Sequence, residues 1–372
     1  MEHKKRIILG NTSKFFYLLC FLYLILPSLV SLFLPDNFYV FYKNSHDGMM
    51  ESIFFFFLFV GLFTIIRFVN IDAGMTKSIN MVGLFKILHI IHVVYLFIVL
   101  LIGLKFRLAS GATRPELLEL ISSFFFPGYS YLLVASVCFL VIRAKGIYML
   151  LIGLFFLLLD FAYMGKIFTL LFLVTWMMWA DYHNKSGKIF FRGLLLGGSV
   201  AVAIFVIREI VVKGTFTSGL NLYVFFSEFI GVFASIGWAE GYHAQGLPMQ
   251  ILDFNAVLEP FYASSISHGL ALHPAAYFVG NFGDFWILAA IIYTFLLALF
   301  SFFTIRSLGF LYVIIFIVNS VHFFRHGPDV FAKNVIVQSI FFVLLILLAK
   351  VFTIIAKDNL HLKIHNDTNS SE

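Results

Sequence analysis

Apolar runs of about 20 residues, the length a helix needs to cross a hydrocarbon core, recur along the whole chain with short polar breaks between them. They predict spans at 15–34, 49–70, 82–104, 122–142, 147–164, 167–182, 190–212, 280–304, 308–324 and 334–356. The runs are continuous and lack the alternation of barrel strands, so the expected fold is all-α: a polytopic membrane protein of about ten transmembrane helices. One connection departs from this pattern. From Lys213 to about Val279 the chain forms a long loop, within which Leu220 to Trp238 is apolar but carries Glu228 at its middle. Reading that stretch as a further span would flip every later loop, so it is expected to be a re-entrant or interfacial helix. Residues 1–372 read as a single integral membrane domain, with 213–279 as the large outer loop and 357–372 as a polar tail.

Composition agrees with lipid as the solvent, because 61% of the residues are apolar and only 12% are charged, too little polar surface for a globule of this size. Orientation follows from the basic residues. With the N-terminus inside, 16 of the 25 Lys and Arg fall on the cytoplasmic side. The other nine are Lys43, Lys105, Arg107, Arg114, Lys166, Arg208, Lys213, Arg325 and Lys333, a bias that places both termini in the cytoplasm. The start resembles a signal peptide, with Lys4, Lys5, Arg6 and Lys14 ahead of an apolar run to Leu34. The run is longer than a signal core and lacks a small-x-small site, so it reads as an uncleaved first span. The net charge of +6 comes from basic residues scattered singly, which argues against a nucleic-acid partner. Cys20 and Cys138 both lie in apolar runs, giving neither a disulfide framework nor a metal site. The 50 phenylalanines read as packing against lipid and one another.

Charged groups in or against a membrane are costly, which makes them the informative positions. Arg208, beside Glu209 near the outer end of span 190–212, suits either a ligand contact or a side chain that snorkels to the interface. Arg325-His326-Gly327-Pro328-Asp329 forms a short outer turn, too rigid to carry its charges far from the membrane surface. The stretch Ser264 to Phe282 brings His268 and His273 to the edge of the bilayer, where a neutral imidazole can accept a proton from a hydroxyl, or can simply be hydrogen-bonded in a folded loop. Lys86, His89 and His92 share a face of span 82–104, and Asp160 interrupts span 147–164. In a transporter such groups would form an ion path.

Many spans, one long outer loop late in the chain, the re-entry Gly280-Asn281-Phe282-Gly283 and an arginine-bearing short loop before the last span together resemble the bacterial O-antigen polymerases of the Wzy type. At sequence level the resemblance rests on His268 to Gly283 and Arg325 to Asp329. It implies a multi-pass inner-membrane enzyme that joins undecaprenyl-pyrophosphate-linked oligosaccharides at the periplasmic face. The implied catalytic residues are Arg208, His268, His273, Arg325 and Asp329, with Lys166, Lys213, Glu228, Asn281 and His326 as substrate contacts. It implies no cofactor or metal, membrane lipids as surroundings, and a chain-length regulator as a partner. The stretch after Arg208 holds fewer basic residues than that family leads one to expect. The O-antigen ligase shares the layout but uses lipid A core as acceptor, and a lipid-linked oligosaccharide flippase is the rival from another class. Carriers usually show two related halves, which this asymmetric chain does not.

Overall fold

The computed structural model describes residues 10–31, 48–68, 83–110, 147–163, 167–182, 222–263 and 272–344, with a few single positions besides. Spans 122–142 and 190–212, the tail, Arg208, Lys213, Lys166 and His268 lie outside the described residues, apart from Leu140, Val141, Leu195 and Ser199. Among the described residues the chain is helical, with no strand.

The first helix begins as α1 (Gly10–Cys20), widens into a π-helical turn at Phe21–Ile25 and continues as α2 (Leu26–Ser31). The wide turn has a local cause. Pro27 has no N–H to give and its ring would press on the carbonyl four residues back, so the turn before it opens. Leu26 N–H reaches back to Phe21 O, and Ser28 Oγ donates to Ile25 O at 2.7 Å. There follow α3 (Met49–Phe68), α4 (Gly83–Ser110), α5 (Ile147–Ala162), α6 (Ile167–Tyr182), α7 (Leu222–Ala244), α8 (Phe254–Ala263) and α9 (Pro274–Phe282). A 3-10 turn at Gly283–Phe285 leads into α10 (Trp286–Leu308), then α11 (Phe310–Arg325) and α12 (328–344).

Among the described residues, three stretches are long and apolar enough to cross a membrane: Thr12–Val30, Met49–Ile66 and Pro274–Leu308. Shorter apolar helices cover Ile147–Ala162, Leu171–Asp181 and Phe310–Arg325. On α10 the exposed residues include Ile287, Leu288, Ile291, Ile292, Phe295 and Leu296, an outward surface suited to lipid rather than water.

Contacts group the chain into two compact units. The first comprises 1–70, 177–303 and 313–336. Its centre is aromatic: Phe59 stacks on Phe323 with centroids 3.9 Å apart, and Phe16 stacks on Phe63 at 4.1 Å. Phe316 and Phe331 close the same cluster. Such rings bury large apolar areas and add specific stacking geometry. Asp181 ties the first helix into this unit, its Oδ2 accepting from Thr12 N at 2.9 Å and Thr12 Oγ1 at 2.8 Å.

The second unit comprises 71–176, 304–312 and 337–372. Gly103 lets the Tyr163 ring press against α4, since a Cβ there would lie 2.6 Å from it, and Tyr163 OH donates to Val99 O at 2.6 Å. Asp160 is buried at the end of α5, where Oδ1 accepts from Phe168 N at 3.1 Å and Oδ2 from Thr169 N at 2.7 Å. It therefore caps the start of α6, satisfying N–H groups that the helix leaves without internal partners. That geometry accounts for a carboxylate inside an apolar run without an ion path.

Candidate functional site

The two segments that the sequence singles out meet within the first unit. Leu272 N–H donates to Arg325 O at 2.7 Å, and Leu272 and His326 form an isolated parallel bridge. This joins the start of α9 to the end of α11, and four helix ends gather around the junction: those of α8, α9, α11 and α12.

His273 follows Leu272 and serves as the N-cap of α9, with Pro274 in the first helical position. Its Nδ1 accepts from Ala275 N at 3.1 Å, and its Nε2 lies 3.2 Å from Ser52 Oγ on α3. Because Nδ1 accepts, the proton of the neutral ring sits on Nε2 and is donated to Ser52. The His273 amide donates to Ser235 Oγ at 2.8 Å, and Ser235 passes its own proton to Val232 O at 2.6 Å. The side chain is 0% exposed, and burial pushes its pKa down from 6.5 to about 3. Both ring nitrogens are thus engaged, Nδ1 within α9 and Nε2 with α3, while the backbone amide links the same residue to α7, and the imidazole is buried.

Arg325 is the last residue of α11 and half-buried. His326 continues the turn, its amide donating to His322 O at 2.8 Å, and the residue is exposed. Gly327 takes φ +97, a conformation that side chains resist, and a Cβ there would stand 2.8 Å from both Asp329 Oδ1 and Leu272 Cδ2. Pro328 starts α12, and its carbonyl accepts from Tyr293 OH at 2.8 Å.

Asp329 sits in the first turn of α12, and its Oδ2 accepts from Phe254 N at 3.3 Å, so one carboxylate serves the N-termini of α12 and α8. Asp253, just before α8, has φ +55. Burial raises the Asp329 pKa above 3.8, opposed by the surrounding backbone N–H groups of Val330, Phe254, Asp329 and Asp253. Only 8% of the residue is exposed.

Asn281 is buried and tethers the loop before α8: Oδ1 accepts from Gln250 N at 2.7 Å and Nδ2 donates to Tyr277 O at 2.9 Å. Tyr277 and Tyr242 fasten the same loop through Ile251 O at 2.9 Å and Pro248 O at 2.8 Å. The Asn281 amide is thus spent on structure. Glu228 lies on α7, with its side chain outside the described residues.

The structure therefore brings together His273, Arg325, His326 and Asp329, while His268, Arg208, Lys166 and Lys213 lie outside the described residues. Sequence reasoning missed Ser52, Ser235 and His322. His322 alone carried a signal, the spacing of four residues to His326 on one helix face. At this junction the arrangement offers one guanidinium, one imidazole pair and one buried carboxylate of raised basicity. No family model matches the chain, and no curated protein or solved structure matches it.

Proposed function

We propose that this protein polymerises undecaprenyl-pyrophosphate-linked oligosaccharide repeat units at the periplasmic face of a bacterial inner membrane. The observation that carries the reading is the 2.7 Å hydrogen bond from Leu272 to Arg325, which gathers Arg325, His326 and Asp329 beside the segment that re-enters the apolar region. In this reading the chain has about ten spans with both termini in the cytoplasm, and 213–279 forms the outer loop.

The transfer forms a bond between an acceptor sugar hydroxyl and the anomeric carbon of the donor glycan. The bond from that carbon to the lipid-linked diphosphate breaks, and the diphosphate leaves with the electron pair. Arg325 meets the charge that grows on the leaving oxygens, since a guanidinium fork holds phosphate oxygens bidentately. Asp329 takes the hydroxyl proton, its raised pKa making it a stronger base than an ordinary carboxylate. His326 contacts the substrate from the exposed side, and Arg208 supplies a second cation. The donor carries its own leaving group, so the step asks for no nucleotide.

The ligase reading differs only in acceptor. A deletion strain separates the two: loss of the polymerase leaves lipopolysaccharide with a single repeat unit, and loss of the ligase leaves bare core. A flippase defect would instead trap the lipid-linked repeat unit on the cytoplasmic leaflet.

A further inference from the structure

His322 and His326 lie four residues apart at the end of α11, with their Nδ1 atoms 3.2 Å apart. The backbone fixes this spacing from two sides. His326 N–H donates to His322 O at 2.8 Å, continuing the helical turn, and the bridge to Leu272 holds the same residue from across the junction. We propose that the pair is a chelating site for a borderline divalent cation of the zinc class, bound through the two Nδ1 atoms. The inference does not rest on the polymerase reading.

The separation matches the chemistry. Two imidazoles bound to one tetrahedral zinc at about 2.0–2.1 Å each place their nitrogens about 3.3 Å apart. Without a cation, one Nδ1 carries a proton and donates it to the lone pair of the other. When the cation binds, that ring moves its proton to Nε2, so both Nδ1 lone pairs point at the metal and no net proton is lost. The carbonyls at the C-terminus of α11 favour a positive charge, while the Arg325 guanidinium on the same helix end opposes it. Among the described residues no third His, Cys, Asp or Glu completes a group of three. The other coordination positions therefore go to water or to an oxygen of a bound anion, which makes this an open site rather than a structural one.

The test uses the full chain purified in detergent and two probes. The first is copper(II) held by iminodiacetate, which leaves two adjacent positions free and so reports a pair of imidazoles in the paramagnetic resonance spectrum. The second is zinc, titrated in competition with a chromophoric chelator. The wild type is expected to show two-nitrogen coupling and one zinc more per chain than His322→Ala or His326→Ala, each at least tenfold weaker at this site. His326→Gln, which keeps the side chain polar, should lose the signal while eluting from size exclusion as the wild type does. Equal binding by wild type and variants, or coupling to a single nitrogen, would overturn the proposal.

Discussion

The amide of Leu272 donates to the carbonyl of Arg325 at 2.7 Å, a backbone bond that joins two distant stretches of the chain. A side-chain substitution at Arg325 leaves that bond in place. The charge at Arg325 can therefore be removed while this backbone bond between the two stretches is kept.

His273 acts through its cap and its burial. His273→Ala is expected to cost about 1 kcal/mol for the cap, with a further loss for the cavity. His273→Asn, which can still accept from Ala275 N–H, should retain most of the stability. Thermal unfolding in detergent compares the two. Equal melting temperatures for the wild type and His273→Ala would show that the cap contributes nothing.

The same residue sets an acid limit. Below pH 6.5 the unfolded chain binds a proton that the folded chain refuses until about pH 3. Its contribution is therefore flat above pH 6.5, and stability is lost as the pH falls from there toward 3. Asp329 works in the opposite sense: burial raises its pKa above 3.8, so its contribution declines as the pH rises from that value. Unfolding curves at several pH values should show His273→Asn losing less stability than the wild type on acidification. Parallel curves for the two proteins would contradict the assignment.

Gly283 ends α9 with φ +50, and a Cβ there would collide with the His243 ring. Gly283→Ala is expected to destabilise the protein by about 1–3 kcal/mol from backbone strain, before the collision is counted. Membrane yield and melting temperature are the readouts, and wild-type values for both would show that the break tolerates a side chain.

Asp160→Ala should cost about 1–2 kcal/mol, because two N–H groups at the start of α6 lose their acceptor. Asp160→Asn keeps an acceptor and should leave glycan chain length unchanged. A strong glycan phenotype in Asp160→Asn, at normal protein level, would point to an ion path instead of a cap.

Much of the helical architecture is legible in the sequence, because a run of apolar residues long enough to cross lipid has few other uses. Span 49–70 appears as Met49–Phe68, and span 308–324 as Phe310–Arg325. Breaks within apolar runs are harder to see. Hydropathy reads 280–304 as one span, whereas the helix begins at Pro274 and is interrupted at Gly283–Phe285, since backbone direction depends on a single glycine and not on average polarity. In the long connection 213–279, the apolar stretch 220–238 appears as the helix Leu222–Ala244, whereas α8 gave no such signal. At the site, Arg325 and Asp329 stood out because charge is costly beside lipid. The role of His273 was not legible, because Ser52 and Ser235, which hold its ring and amide, come from helices remote in sequence.

The central claim is that Arg325 meets the negative charge of a departing diphosphate during glycan transfer. Purified protein in lipid vesicles, given purified undecaprenyl-pyrophosphate-linked repeat units, tests it directly on a gel. The account predicts a ladder of long chains from the wild type, none from Arg325→Ala, and only short products from Arg325→Lys, which keeps the charge but loses the fork. Long chains from Arg325→Ala at equal protein level would contradict it.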